Sequence, residues 1–348
     1  MNATTSILPS ITVKQEKLHR YEEVRRKSVA WLLTHLHADG ALGDPREGFF
    51  FYRAPWTFAI TGEVAAANAV CGWMRRNMIT NEGAIDGPYR AGTNDAFAYR
   101  DSAFMIGAHY AGQYDVSYGL MPNLLSWQDP HSGAFANDRL PDGSKSDDMD
   151  LPYTVGPGIA CIAIGHVDAA RAVYRHLERL YAAQTELPNR FYYTWSRARQ
   201  AVITEFPVER QFWYLVDNQV ARTQRWTIGG IAAGFLCHLY LTEPKAEYLE
   251  LARKYQAFSM QSTPEQFNFP QVCKSSWGSS LLYQITGEEQ YLAWTYKLGD
   301  WYADTQNVDG YWDRWYPDPD TPIGTHIHLV LEFVLHINTL MGGLASRT

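Results

Sequence analysis

A short turn signal recurs along the chain, always between two helix-like stretches. An apolar segment rich in small residues, such as 229–241, precedes each turn, and an amphipathic segment, such as 246–258, follows it. Glycine suits these turns because a helix often ends on a left-handed residue, a conformation that costs glycine little. The turns are Thr61-Gly62-Glu63, Ala111-Gly112-Gln113, Ile164-Gly165-His166, Thr242-Glu243-Pro244 and Thr286-Gly287-Glu288. This periodicity predicts a repeat architecture of helical hairpins.

The chain has six helices of each kind, which is enough to close a ring, because the first amphipathic helix and the last apolar helix would pair and seal it. The apolar helices are predicted near 54–61, 100–111, 153–164, 228–241, 271–286 and 323–341, and the amphipathic ones near 18–37, 63–79, 113–127, 166–185, 245–261 and 288–305. An open solenoid is the alternative, but it needs polar end caps, whereas the last helix is apolar around most of its circumference. We therefore predict an all-α (α/α)6 barrel, or toroid, forming one domain over 16–348 after a flexible N-terminal arm at 1–15.

One connection is longer than the others, and its sequence pattern predicts β-structure. Between the third and fourth hairpins, 190–196, 201–206 and 211–216 are β-branched and aromatic runs of strand length, separated by turn signals. We predict a small antiparallel β insertion around 190–216, over one mouth of the barrel.

Composition excludes several classes of protein. The net charge of −7, without a long basic run, argues against nucleic-acid binding. The four cysteines are widely spaced, which argues against a zinc ribbon and a disulfide scaffold. Neither a signal peptide nor an apolar run of membrane-spanning length is visible, so we expect a cytoplasmic protein without a membrane span.

The segment Lys297–Trp312 carries a known pattern of an aromatic residue, glutamine, glycine and tryptophan. Trp301, Gln306, Gly310 and Trp312 match the QW motif of squalene-cyclase-like proteins, and 31–42 and 128–135 are degraded copies. The chain thus resembles the terpenoid cyclase/protein prenyltransferase toroid superfamily. The resemblance implies the toroid fold, and we interpret the motif as a staple between neighbouring repeats.

The long loops that lead into the apolar helices surround one mouth, so we expect function there. Asp147-Asp148-Met149-Asp150 precedes one of these helices, and class II terpene cyclases carry a D-x-D-D acid at a comparable place. The order differs here, and a helix-capping acidic loop is the alternative interpretation. His326 and His328 begin the last apolar helix, where histidine can transfer protons near neutral pH. We name Asp148, Asp150, His326 and His328 as catalytic candidates.

Aromatic side chains, with a few polar ones, dominate the mouth loops. Such rings can stabilise a cation, flank a flat substrate or stack on a sugar. Lys274 could hold an anionic group or stabilise an enolate, or it could pair with a loop carboxylate. The predicted substrate-binding residues are Tyr52, Trp56, Tyr99, Asp101, Tyr153, Trp213, Trp226, Lys274, Trp277 and Trp315. Because the magnesium-binding D-D-x-x-D pattern and the nucleotide fingerprints are missing, we predict a site without metal or cofactor.

Three functions remain open at this point. The first is a cofactor-free cyclase or isomerase that acts on a polyene, terpenoid or related natural product, with an apolar or aromatic small-molecule substrate. The second is a carbohydrate-active enzyme (glycosidase, uronate lyase or sugar epimerase), in which Asp148 or Asp150 would act with Asp95, Asp101 or Glu209 across the cleft. The third is a toroid that binds a ligand without turnover.

Overall fold

The computed structural model describes residues 7–90 and 97–347, with side chains from Val13 onward, and these residues form twelve α-helices. The outer helices are α1 (Ile7–Thr34), α3 (Val64–Asn77), α5 (Tyr114–Ser126), α7 (Val167–Ala182), α9 (Ala246–Gln261) and α11 (Glu289–Thr305). The inner helices are α2 (Ala54–Ile60), α4 (Phe97–Tyr110), α6 (Leu151–Ile164), α8 (Ile228–Thr242), α10 (Ser275–Thr286) and α12 (Ile323–Ala345). The predicted alternation of apolar and amphipathic helices is confirmed.

The inner helices form a closed ring. Each packs against the next in chain order from α2 to α12, and α12 then contacts α2. On the outside, α1 lies against α11 and α12 and so completes the second layer. The (α/α)6 toroid is confirmed and the open solenoid is not. Helix α1 begins at Ile7, within the segment 1–15 for which we expected an arm, while residues 1–6 lie outside the described residues.

Burial follows the two layers. Most residues of α6 and α8 are buried, whereas α7 buries one face and presents its charges on the other. Helix α12 is long and apolar enough to cross a membrane by composition, yet 72% of its most apolar window is buried inside the barrel. The apolar surface of α12 is therefore accounted for by the protein core.

The long connection between α7 and α8 carries most of the β-structure, as predicted. Strand β1 (Asp148–Asp150) pairs antiparallel with β3 (Thr194–Ser196), which pairs with β4 (Ala201–Val202), and β2 (Arg190–Tyr192) pairs with β5 (Leu215–Asp217).

Two details of this insertion differ from prediction. The run 190–196 is split between two sheets at Tyr193, and the third predicted strand, 211–216, is mostly a 3-10 helix over Val208–Trp213 that leads into β5. The Tyr193 hydroxyl donates to the Phe212 carbonyl, and Thr194 Oγ1 donates to the Trp213 carbonyl. These side-chain bonds satisfy backbone carbonyls that a sheet ladder would otherwise pair.

Successive hairpins are joined by a close approach between backbones. Gly133, with a φ of +79°, ends one repeat, and a β-carbon built there would lie 2.3 Å from the Ala172 carbonyl oxygen of α7. A β-carbon built at Gly310 would likewise lie 2.7 Å from the Lys27 carbonyl oxygen of α1, across the junction that closes the ring. Only glycine fits where a left-handed backbone and this contact coincide.

The QW residues act as a staple at that closing junction. The Gln306 amide donates to the Val24 carbonyl of α1 at 2.9 Å and to Ser28 Oγ at 2.8 Å. Trp312 is fully buried, and its Nε1 donates to the Tyr302 carbonyl at 3.1 Å. Both side chains thus have structural partners, in agreement with our interpretation of the motif.

Replacing Gly133 by alanine should destabilise the protein much more than replacing Gly112. Both glycines have a φ of +79°, so both variants incur the left-handed penalty of about 1–2 kcal/mol. Only Gly133 faces a neighbouring backbone, because nothing lies within 4 Å of a β-carbon built at Gly112. We expect Gly133→Ala to cost at least about 2 kcal/mol more in the free energy of unfolding, measured with denaturant. Equal costs would contradict the close-approach explanation.

Candidate active site

The loop-side ends of the inner helices converge on a cavity of about 280 Å³, close to the lower end of the range for small-molecule sites, roughly 300–1,000 Å³. Each inner helix supplies lining residues from its N-terminal half or from the residues just before it. They include Tyr52 and Arg53 at α2, Tyr99 and Arg100 at α4, Tyr153 at α6, Arg225 before α8, Cys273 and Lys274 before α10, and His328 and Glu332 on α12. Ring closure therefore builds the cavity from sequence-distant positions.

A buried charge cluster forms the floor of this cavity. Glu332 is 8% exposed and pairs with Lys274, which is 6% exposed. Arg53, also 6% exposed, places its Nη2 3.5 Å from the other Glu332 carboxylate oxygen. Two cations thus share one carboxylate among buried side chains, where electrostatic interactions are strong.

Two histidines and a tyrosine surround the cluster. His336 Nε2 lies 3.7 Å from Glu332 Oε1, one helical turn further along α12. Arg53 Nη1 lies 3.4 Å from His328 Nδ1, and Arg53 Nη2 donates to the Tyr99 hydroxyl at 2.8 Å. His328, Glu332 and His336 share one helix face at i, i+4 and i+8, so α12 delivers all three to the same place.

The environment shifts two of these groups in useful directions. Burial, with Arg53, Arg100 and Lys274 nearby, holds the pKa of His328 well below 6.5, so its ring is neutral at pH 7. Burial alone would raise the pKa of the Tyr99 phenol, but Arg53 and Lys274 outweigh it and lower that pKa below 10. The cavity therefore places a neutral imidazole and an acidified phenol on either side of one guanidinium.

Several predicted site residues meet here. Tyr52, Tyr99, Tyr153, Lys274 and His328 line the main cavity. A narrow extension below it is lined by Trp56 and Trp277, whose ring centroids are 6.0 Å apart.

The acidic motif lies beside the cavity rather than in its described lining. Asp150 caps α6, since its Oδ1 accepts from the Tyr153 backbone N–H at 2.7 Å. Burial raises the pKa of Asp150 to about 6. Asp148 accepts from the Tyr214 hydroxyl at 2.7 Å in the β insertion. The capping function that we weighed for this loop is thus present, and the catalytic assignment of both residues stays a prediction.

The remaining predicted residues have other partners. Asp101 is buried against Arg90 at 2.5 Å, Trp226 Nε1 donates to the Arg222 carbonyl, and Trp315 Nε1 donates to the Asn268 carbonyl. Three more predicted residues lie outside the cavity lining. His326 lines an adjoining surface groove, Trp213 lies at the rim of the cavity and is 37% exposed, and Glu209 is exposed on the β insertion. Asp95 lies outside the described residues.

One group of side chains has the donor set of a metal site. Ligand atoms of Cys273, Glu332 and His336 lie within 4.8 Å of one another. Lys274 already pairs with Glu332, so a metal ion would have to displace this ammonium and would also face Arg53. The arrangement is better explained as part of the charge cluster.

Sequence reasoning missed the centre of the site. Glu332, His336 and Arg53 were not among the predicted site residues. The available signal was a carboxylate in the middle of an otherwise apolar helix, because such a charge must find a buried partner. Its partners, on α2 and before α10, become apparent only when the ring is closed.

The comparisons with known proteins support the fold. No family model matches the chain, and no curated protein matches it either. Among solved structures, a D-mannose isomerase superposes with a TM-score of 0.66 at 14% identity, covering 91% of this chain and 96% of that one. A family 76 glycoside hydrolase from a bovine Bacteroides thetaiotaomicron strain gives 0.63 at 12% identity, covering 91% and 77%. The type II terpene cyclase MstE from Scytonema gives 0.58 at 12% identity, covering 94% and 99%. At these identities the likeness shows a shared toroid fold, as expected from the QW resemblance.

Replacing Glu332 by glutamine should destabilise the fold, because Lys274 would then be a buried charge without its counter-ion. Removing one partner of a buried pair costs about 3–5 kcal/mol in the free energy of unfolding. The double variant Glu332→Gln/Lys274→Met should recover at least half of this loss, as measured by urea denaturation. Additive costs in the double variant would show that the pair does not interact.

Proposed function

We propose that this protein is an isomerase that acts on a small polyhydroxylated substrate of the sugar class. It removes the proton from the carbon next to a carbonyl group and returns a proton to the enediolate that forms. The observation that carries the proposal is the charge cluster of Arg53, Lys274 and Glu332 with His328 and Tyr99 beside it. Enolisation needs a base for the carbon-bound proton, fixed positive charge for the enediolate oxygen, and an acid that returns a proton.

The described residues can fill these three roles. Neutral His328 accepts the proton from the substrate carbon, and Arg53 and Lys274 stabilise the negative charge that develops on the carbonyl oxygen. Tyr99, whose phenol is acidified by the same two cations, donates a proton to a carbon of the enediolate. His328 then loses its proton to solvent and the Tyr99 phenolate takes one up, so both groups return to their starting forms. Glu332 fixes both cations by pairing with them. The cations lie in place before the substrate arrives, which is the condition for effective electrostatic catalysis.

Charge and size favour this reaction over polyene cyclisation. A carbocation intermediate would lie beside the positive charges of Arg53, Lys274 and Arg225, which raise its energy. The cavity of about 280 Å³ suits a small metabolite better than a long polyene. The D-mannose isomerase offers a precedent for isomerase chemistry on this fold.

Cyclisation of a polyene or terpenoid is the second candidate. The observation that favours it is the set of aromatic rings along the cavity wall, with Tyr52 6.3 Å from Tyr99 and Tyr99 5.4 Å from Tyr153. The toroid of a terpene cyclase offers a precedent for this chemistry as well. It becomes the better proposal if a polyene is converted and no sugar is.

The test is solvent exchange. Incubation with D-mannose, D-fructose or D-glucuronate in D₂O should place deuterium on the carbon next to the carbonyl of at least one of them, detected by NMR. His328→Asn should slow this exchange by about 10²–10⁴-fold, the usual contribution of a general base. The exposed His131 provides the matched control, and His131→Asn should exchange at the wild-type rate. Exchange in none of the sugars, or an unimpaired His328→Asn variant, would overturn the proposal.

The pH dependence of the exchange rate should report on His328 and Tyr99. The active form has His328 unprotonated and Tyr99 protonated. The exchange rate should therefore decrease on the acidic side only when the pH is well below 6.5. On the basic side, the decrease should begin at a pH lower than 10, because the pKa of Tyr99 is lowered. Tyr99→Phe should be slower and should lose the basic limb of the profile. An acidic limb centred above pH 6.5 would contradict the assignment of His328 as the base.

A further inference from the structure

Arg225 lies at the rim of the cavity inside a cage of aromatic rings. Its guanidinium carbon is 4.5 Å from the ring centroid of Trp213, 5.0 Å from that of Tyr153 and 5.1 Å from that of Phe212. Arg225, Tyr153 and Phe212 all line the cavity. Cation–π contacts of this kind hold a guanidinium in one orientation without neutralising its charge.

The segment that carries Phe212 and Trp213 and the loop that carries Arg225 are both anchored. Phe212 and Trp213 belong to the 3-10 turn whose carbonyls accept from Tyr193 and Thr194 of the β insertion. The loop before Arg225 is held by the buried side chain of Gln224. Its Oε1 accepts from the Asp217 backbone N–H at 2.8 Å, and its Nε2 donates to the Asp217 carbonyl at 3.0 Å. The guanidinium is therefore positioned before any ligand binds.

The charge of Arg225 has no ion-pair partner within 4.0 Å among residues 13–90 and 97–347. Its Nη2 lies 3.4 Å from the Tyr153 hydroxyl, and its buried Nε has no hydrogen-bond partner among the same residues. Asp150 is the nearby carboxylate, but its oxygens face the Tyr153 backbone N–H at 2.7 Å and the Asn137 amide at 3.4 Å. Arg53 and Lys274, by contrast, share Glu332.

We propose that Arg225 is the anion-binding residue of this cavity and that the substrate is a sugar acid, whose carboxylate lies on the guanidinium while its carbonyl end lies on the charge cluster. The inference rests on the proposed function for the sugar part of the substrate. A planar guanidinium with free N–H groups matches a carboxylate in a two-bonded geometry that lysine cannot reproduce.

Calorimetric titration of the full chain with D-glucuronate and D-glucose tests this, since the two sugars share a ring and differ in the carboxylate. The wild-type protein should bind glucuronate about tenfold to a hundredfold more tightly than glucose, the worth of a charged hydrogen-bonded pair. Arg225→Met should abolish this preference and Arg225→Lys should keep only part of it. Arg222→Met, an exposed arginine three residues away, should keep all of it.

Three outcomes overturn the inference: equal affinity for both sugars, no binding of either, or a preference that survives in Arg225→Met. Circular dichroism and the melting temperature establish that each variant is folded. If Arg225→Met does not fold, Arg225→Lys, which keeps the positive charge, takes its place in the comparison. Binding is measured without turnover, so the result is separable from the exchange experiment. Glucuronate binding that depends on Arg225, with no deuterium exchange in any sugar, would leave the anion site standing and remove the isomerase proposal.

Discussion

The closing contact of the ring is the constraint on which the rest of the structure depends. The turn after α11 must approach the backbone of α1 so closely that Gly310 has no room for a side chain, and Gln306 then bonds the carbonyl of Val24. The same approach at Gly133 sets the spacing between an earlier pair of outer helices. Because each hairpin packs against its neighbours, a small shift at one junction would displace the following hairpins and prevent the ring from closing.

Much of the fold was predictable because its determinants are local. Apolar and amphipathic segments alternate along the chain, and the turns between them carry glycine where a helix ends in the left-handed conformation. The β insertion could be located from its β-branched and aromatic runs, but its pairing could not. The split of 190–196 at Tyr193 depends on contacts with 148–150, which are remote in sequence.

The site was less predictable because its residues meet only through ring closure. Tyr99, Lys274 and His328 were expected at the loop-side mouth, and all three line the cavity there, although their roles stay predictions. The partnership of Arg53, Lys274 and Glu332 joins three different parts of the chain and leaves no sequence pattern. The acidic run at 147–150 was predicted to be catalytic, although all three of its carboxylates have structural partners in the β insertion or at the start of α6.

The inner helices and the β insertion contribute to the cavity in different ways. The charge cluster stands on inner helices and the residues just before them, so its members cannot change without disturbing the core. Phe212 and Trp213, in contrast, lie on a connection outside the ring, above the cavity. Substitutions in this one connection can therefore alter the entrance of the cavity, while the charge cluster and the ring of inner helices stay as they are.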